Sequence, residues 1–587
     1  DPDNVGVKDD ANAVAWALPF FFLIIIIWFD ISASQRYARF SDELLTQWKE
    51  DKIQFKSENK VLWILIFMIL SSCMSKDKTP EKVFIKNENL DEKMYRPSLH
   101  FSPKKNWMND PNGMFYYKGK YHLYFQHHPY SNVWGPMHWG HAISKDLISW
   151  EEQPIALFPD NLGTIFSGSA VVDHNNTSGF GTEINPPIVA IYTNHNAKEA
   201  NEGSIKFQNQ SIAYSLDEGQ TWTKYINNPI IKNPGVRDFR DPKVIWYEKD
   251  QKWILTLAAS QITQFYESKD LKEWSYLSSF GEGIGNHNGV WECPDLFELP
   301  VRGTDQTKWV HLVSINPGGP NGGSATQYFI GDFDGKKFVI DHDFETQMKN
   351  KHDFWTDFGK DNYAGVTFSN WESDKGGVLL LGWMSNWQYA SKVPTNTWKS
   401  AMTLGRELEL YKTKENFYRL RSILSSNLGD YESKVIEKQG ELIKENITLV
   451  SKKTIDLSTA KVQIKLSGLE DTEYTFEIAN SSGDKLVFGY DHKELLFFVD
   501  RNQSGKTKFS DKFSKKPSLA PRHENKRTLD IEFVLDKASI EIFFDEGKTV
   551  MTEIFFPNAP METLNLKTSA SNSIIDFFKV QELKNNK

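Results

Sequence analysis

Three short stretches of this chain set a carboxylate near a proline: Trp107-Met108-Asn109-Asp110-Pro111-Asn112-Gly113, Phe239-Arg240-Asp241-Pro242 and Trp291-Glu292-Cys293-Pro294-Asp295. Proline fixes its own φ and pushes the residue before it toward extended backbone. Asn112-Gly113 is a turn signal. Apolar, strand-like sequence follows in Met114-Phe115-Tyr116-Tyr117 and Tyr121-His122-Leu123-Tyr124-Phe125. Asp110 is therefore expected at a strand entrance, held rigidly with its carboxylate free. A single stretch of this kind reads as an ordinary turn opening a hairpin. Three of them, each flanked by aromatics and strand-like runs, weigh against that reading. What they offer is a nucleophilic carboxylate and a proton-donating one.

The elements that must position these groups are strands. From 96 to 412 the sequence is short β-like runs broken by Gly, Pro, Asn and Asp. A loose repeat runs through it: Ser144-Lys145-Asp146 leads to Trp150, Ser215-Leu216-Asp217 to Trp222, Ser268-Lys269-Asp270 to Trp274, and Asp332-Phe333-Asp334-Gly335 to Phe338. The recurring Asp positions lie 71, 53 and 64 residues apart. Each unit reads as strand, Asp-led turn, strand, with an inward aromatic, which suggests propeller blades with long loops. Residues 413–435 read as a linker with a little helix. Residues 436–587 return to alternating strands such as Tyr474-Thr475-Phe476-Glu477-Ile478, which predict an antiparallel sandwich.

The chain has 587 residues, a net charge of −9 and no long Lys/Arg block, so nucleic acid is not expected as a partner. Its 19 Trp, 21 Tyr and 40 Phe favour strands and also suit stacking against sugar rings. Two cysteines, Cys73 and Cys293, exclude a disulfide framework. The histidines lack zinc-site spacing, so no metal and no organic cofactor is expected.

Residues 11–29 carry no charge and are long enough, marginally, to span a bilayer. Arg36, Arg39, Lys49 and Lys52 follow, which would place that side in the cytoplasm. A shorter apolar run, 61–70, ends in Leu70-Ser71-Ser72-Cys73, the pattern of a lipoprotein signal with Cys73 as the lipidated residue. The first methionine, Met68, lies inside that run. Residues 1–60 read as an upstream segment that the mature protein need not contain, 61–73 as the signal, and 74–95 as a polar tether. The expectation is an exported protein, anchored by lipid at the cell envelope on its periplasmic face or at the cell surface.

The three carboxylate stretches resemble the signature blocks of glycoside hydrolase family 32, the invertase, inulinase and levanase family, and the likeness runs from about His100 to the C-terminus. It implies an all-β fold, a five-bladed β-propeller over 96–412 followed by a C-terminal β-sandwich over 436–587. Retaining hydrolysis needs two carboxyl groups about 5 Å apart. Asp110 suits the nucleophile and Glu292, with its longer arm, the proton donor. The resemblance makes Asp241 the group that binds fructose hydroxyls and steadies the transition state, with Arg240 as a clamp. It further implies substrate contacts for Asn109, Gln126, Trp134, Phe166, Ser167 and Trp383. The activity implied is a retaining, exo-acting β-fructosidase releasing terminal fructose from levan or inulin, and from sucrose. The alternatives are a fructosyltransferase on the same site and a noncatalytic fructan-binding surface lipoprotein; the latter would be expected to lack a carboxylate.

Overall fold

The computed structural model of the protein describes residues 92–584 apart from 372, 426, 427 and 453. The expected segments 1–60 and 61–73, Cys73 among them, lie outside the described residues, as does the tether up to residue 91. Residues 92–95 are part of the fold and not of a tether. Tyr95 is buried and donates to the Pro557 carbonyl (3.2 Å), and the Arg96 guanidinium lies 3.8 Å from the Trp398 ring centre. One anchoring aromatic inside a charged run is what hid this attachment.

The described chain is nearly all strand, with short helices such as Ala197–Asn201 and His342–Asn350. Five antiparallel sheets of four or five strands come first. Their opening strands are β1 (Asn106–Tyr117), β2 (Thr164–Val172), β3 (Phe239–Tyr247), β4 (Val290–Pro300) and β5 (Tyr363–Thr367). These five neighbour one another in order, β1 against β2, β2 against β3, β3 against β4 and β4 against β5, and β5 lies back against β1. The first sheet also takes in a late strand, Trp398–Lys399, which pairs in parallel with β1.

Each opening strand carries the same irregularity. Two of its residues face one on the neighbouring strand: Asn109-Asp110, Phe166-Ser167, Asp241-Pro242, Cys293-Pro294 and Ala364-Gly365. Such bulges bend a strand and re-aim its side chains, and they are places where a strand tolerates proline. Asp241, Cys293 and Ala364 have φ of +64°, +44° and +51°, a region non-glycine residues seldom occupy.

Three of the four Asp-led turns are built alike, while Asp217 accepts from Thr221 N instead. Asp146 Oδ1 accepts from Ile148 N and Ser149 N, Asp270 Oδ1 from Lys272 N and Glu273 N, and Asp334 Oδ1 from Lys336 N and Lys337 N. Trp150 and Trp274 each return an indole N–H to a turn carbonyl at 3.0 Å. In the fifth sheet, Tyr418–Leu424 pairs with Arg406–Lys412 as its outer strand, so 413–435 is not a simple linker. Arg419 and Arg421 disguise this strand. Both are buried, and Arg421 is held by Glu409, so charge stands where alternation would call for apolar residues.

Residues 432–583 form a seven-stranded and a six-stranded sheet, packed face to face. Phe497 of one stacks on Phe544 of the other (4.0 Å), and Phe488 meets Phe533 edge-on (5.1 Å). Where these sheets meet the first five, apolar clusters such as Tyr389 and Trp398 with Phe513 and Phe556 are joined by buried ionic groups. His100 bridges Asp536 and Glu541 (2.9 and 2.8 Å), Arg406 joins Asp357 and Glu541, and Arg501 joins Asp361 and Glu553.

Candidate active site

The first three bulges supply Asn109, Asp110, Phe166, Ser167 and Asp241 to the lining of one cavity of about 460 Å³, and Glu292, next to the fourth bulge, joins them. Asp110, Asp241 and Glu292 all line it. Asp110 accepts from Ser167 Oγ at 2.9 Å and from Asn109 Nδ2 at 3.1 Å; Asn109 in turn accepts from the Trp107 indole at 2.8 Å. Glu292 is gripped at both oxygens. Arg240 donates to Oε1 (2.9 Å), and Tyr363 gives its hydroxyl proton to Oε2 in a short hydrogen bond. Arg240 also donates to Asp238 (2.7 Å) and sits 3.9 Å from Asp241. Asp241 accepts from the Cys293 backbone N–H at 3.0 Å. The Cys293 thiol lies 3.6 Å from Asp241 and 3.7 Å from Asp110, against both carboxylates at once.

Crowding of like charge in a dry place shows in the titration of these groups. Burial, then the Glu292 charge, raises Asp110 to about 6, and its hydrogen bonds offset only part of that. Burial raises Asp241 to about 7; Arg240 lowers it, while the Glu292 and Asp110 charges raise it. Burial pushes the Cys293 thiol well up, so it stays protonated as a weak donor.

A few residues on, past the cavity's lining, the same strands are tied together. Lys243 Nζ reaches the Thr367 carbonyl (2.5 Å) and Asp295 (3.2 Å), and Thr367 donates N–H and O–H to Asp295. All three are buried and tie β3, β4 and β5 together beneath the carboxylates. The cavity is thus closed at the inner end.

Among the other residues singled out in the sequence, Asn109, Gln126, Trp134, Phe166, Ser167 and Arg240 line the cavity. Gln126 sits opposite the first bulge and is fixed by donating to Asn112 (2.8 Å). Trp134 is 48% exposed at the mouth, edge-on to Phe166. Trp383 is elsewhere: fully buried, it packs behind Trp387, 4.9 Å away, and Trp387 is the ring that reaches the cavity. Alternation explains the swap, since Trp383 sits inside a central strand while Trp387 lies in the loop after it.

Sequence reading missed Tyr363, His195, Gln208 and Asp238. His195 stacks on Phe166 (4.3 Å), and burial lowers it to about 4, so it is neutral at ordinary pH. Gln208 donates to His195 (3.3 Å), and its carbonyl oxygen has no hydrogen-bond partner among the described residues. No local signal marks these residues. Only the fold brings His195, Gln208 and Asp238 to the cavity and Tyr363 against Glu292.

Two carboxylates with a third beside them, at the end of a closed cavity with aromatic walls on an all-β scaffold, define a glycosidase-type site. The chain belongs to glycosyl hydrolases family 32: residues 100–420 match its N-terminal domain and 428–582 its C-terminal domain. It is 43% identical over 522 residues to a levanase of Bacillus subtilis, covering 89% of this chain and 74% of that one. It is 39% identical over 495 residues to an extracellular exo-inulinase of Aspergillus niger, covering 79% and 90%. Among solved structures, the fructofuranosidase of Schwanniomyces occidentalis complexed with fructose superposes with a TM-score of 0.75 at 36% identity, over 84% of this chain and 99% of that one.

Proposed function

We propose that this glycoside hydrolase is a retaining, exo-acting β-fructosidase that releases terminal fructose from fructans and from sucrose. The observation that carries the reading is the meeting of Asp110, Asp241 and Glu292 at the closed end of one cavity. In this reading Asp110 attacks the anomeric carbon of the terminal fructose while Glu292 protonates the departing oxygen. Arg240 donates to Oε1 of Glu292 and Tyr363 to Oε2, so the carboxyl is held at both oxygens. Positive charge developing on the sugar lies near Asp241, in a site that excludes water and strengthens the attraction. Once Asp110 is an ester, Glu292 takes a proton from water, and the hydroxide so formed frees fructose with its configuration kept.

The ordered contacts among β1 to β5, with β5 returning to β1, support reading the five sheets as blades of a closed five-bladed propeller, and the two later sheets as a β-sandwich. The Leu70-Ser71-Ser72-Cys73 run supports export and lipid attachment at Cys73, which mass spectrometry of the mature N-terminus tests. Sugar release from levan, inulin and sucrose, followed by NMR of the first fructose formed, tests the activity. The β-anomer is expected first; an α-anomer at early times overturns the retaining assignment. Asp110→Asn and Glu292→Gln should each cut turnover by roughly three orders of magnitude or more without unfolding the protein.

A further inference from the structure

Tyr130 and Phe158 are large aromatic residues left 75% and 51% exposed. They stand on either side of one ring. Tyr130 and Phe158 each meet His138 edge-on, with centres 5.6 Å apart in both cases. His138 follows Met137, a cavity-lining residue whose carbonyl accepts from Ile165 N at 3.0 Å, next to Phe166. Tyr130 also meets His128, and His128 lies under Gly135, the neighbour of Trp134. Buried His138 thus joins Tyr130 and Phe158 from beneath, and His128 joins Tyr130 to the loop that carries Trp134 at the cavity.

The backbone beneath it is pinned. Asn106 Nδ2 donates to the Pro129 carbonyl (2.6 Å), Trp107 N to the Ser131 carbonyl (3.0 Å), and Asn132 Nδ2 to the Asn396 carbonyl (2.7 Å). Lys224 Nζ donates to the Phe158 carbonyl at 2.5 Å and pairs with Asp160 at 2.5 Å. Rings exposed to water on fixed backbone have already given up the freedom that binding would otherwise cost them. They present flat apolar faces, with a phenol at one end, to whatever lies outside the cavity.

We propose that Tyr130 and Phe158 form an outer platform for the body of a fructan chain whose terminal fructose occupies the cavity. This rests on the fructosidase reading above and narrows it, making polymer, not sucrose, the substrate that the outer surface serves. The occupant follows from this link. A chain anchored by its end at Asp110 must leave past Trp134, and His128 joins the loop that carries Trp134 to Tyr130. Sucrose ends within the mouth and gains nothing from it.

The test is the full chain carrying Tyr130→Ala and Phe158→Ala together, with folding checked by its melting curve. Both side chains are exposed, so the fold should stand. KM for long levan or inulin is expected to rise about tenfold while kcat, and both constants for sucrose, stay as in the unaltered enzyme. An unchanged ratio of kcat/KM between polymer and sucrose overturns the platform. Electrophoresis through gels containing levan or inulin gives a readout independent of turnover: the unaltered chain should be retarded and the double variant less so. Equal retardation overturns the platform. If the unaltered enzyme releases no fructose from any of the three sugars, the fructosidase reading fails, and the gels still judge the platform.

Discussion

At the scale of single residues, the site works by setting two carboxylates against each other. In the proposed mechanism Asp110 must be ionised to attack, yet burial and the Glu292 charge hold it up at about 6. The acidic limb of kcat/KM should therefore lie near pH 6, well above an ordinary aspartate. Glu292→Gln removes the neighbouring anion and leaves the burial in place. The Asp110 value should then fall while staying above that of a free carboxylate, as NMR titration of side-chain-labelled aspartate in both proteins would show; a rise would mean that the two groups do not repel. Tyr363 is the second residue to test. Its hydroxyl holds one oxygen of the proposed proton donor. Tyr363→Phe should lower kcat by roughly ten- to a hundredfold, the range expected for one hydrogen bond to a charged group, with KM for sucrose little changed. Steady-state kinetics on sucrose separates the two, and an unaltered kcat would remove Tyr363 from the chemistry.

At the scale of elements, the five bulges are the device that makes the site. A regular strand sends alternate side chains to opposite faces. One extra residue per strand turns Asp110, Ser167 and Asp241 toward the centre and sets Cys293 between two carboxylates. Deleting Pro242 should restore one-for-one pairing in β3, and a slip of one residue reverses which face Arg240 and Asp241 present. Activity should fall by roughly a thousandfold while the far-UV circular dichroism keeps its β signature. Retained activity would mean the bulge is dispensable.

The same devices explain what the sequence made legible. Proline inside a strand-like run is tolerated at a bulge, so Asp110-Pro111, Asp241-Pro242 and the Glu292-Cys293-Pro294 run stood out locally. The second and fifth bulges, Phe166-Ser167 and Ala364-Gly365, contain no proline, and nothing local announced Tyr363 beside the latter. The Asp-led turns were legible because their hydrogen bonds are made within a few residues. The outer strand Tyr418–Leu424 was not, because its buried arginines find partners only in the fold, Arg421 in Glu409 on the partner strand and Arg419 in Gln347 and Asp353.

At the scale of the whole molecule, the first five sheets and the last two are joined by buried charge. Burial alone would lower His100, but hydrogen bonds to Asp536 and Glu541, and their charges, outweigh it and hold the ring at about 9. A histidine raised in the folded state adds stability in full below its unfolded value of 6.5 and loses it as pH climbs through about 9. His100→Gln should therefore destabilise the protein at pH 6 by about 3 kcal/mol or more, the cost of removing one partner from a buried cluster. The gap should narrow toward pH 10. Melting curves of both proteins across that range test it, and a gap that stays constant with pH would place the His100 contribution in packing alone.

The buried knot of Lys243, Asp295 and Thr367 beneath the carboxylates has a consequence for traffic. With the inner end blocked, one doorway serves both the incoming chain and the outgoing monosaccharide. Freed fructose cannot leave until the shortened chain has backed away, so the enzyme must let go of its polymer after each cut and cannot ratchet along it. A mixed population of chains should then shrink together, with no ladder of short oligomers and with the monosaccharide as the sole small product from the earliest samples. Size-exclusion traces taken at a few per cent conversion would show whether the whole distribution slides, or whether some chains vanish while others remain untouched.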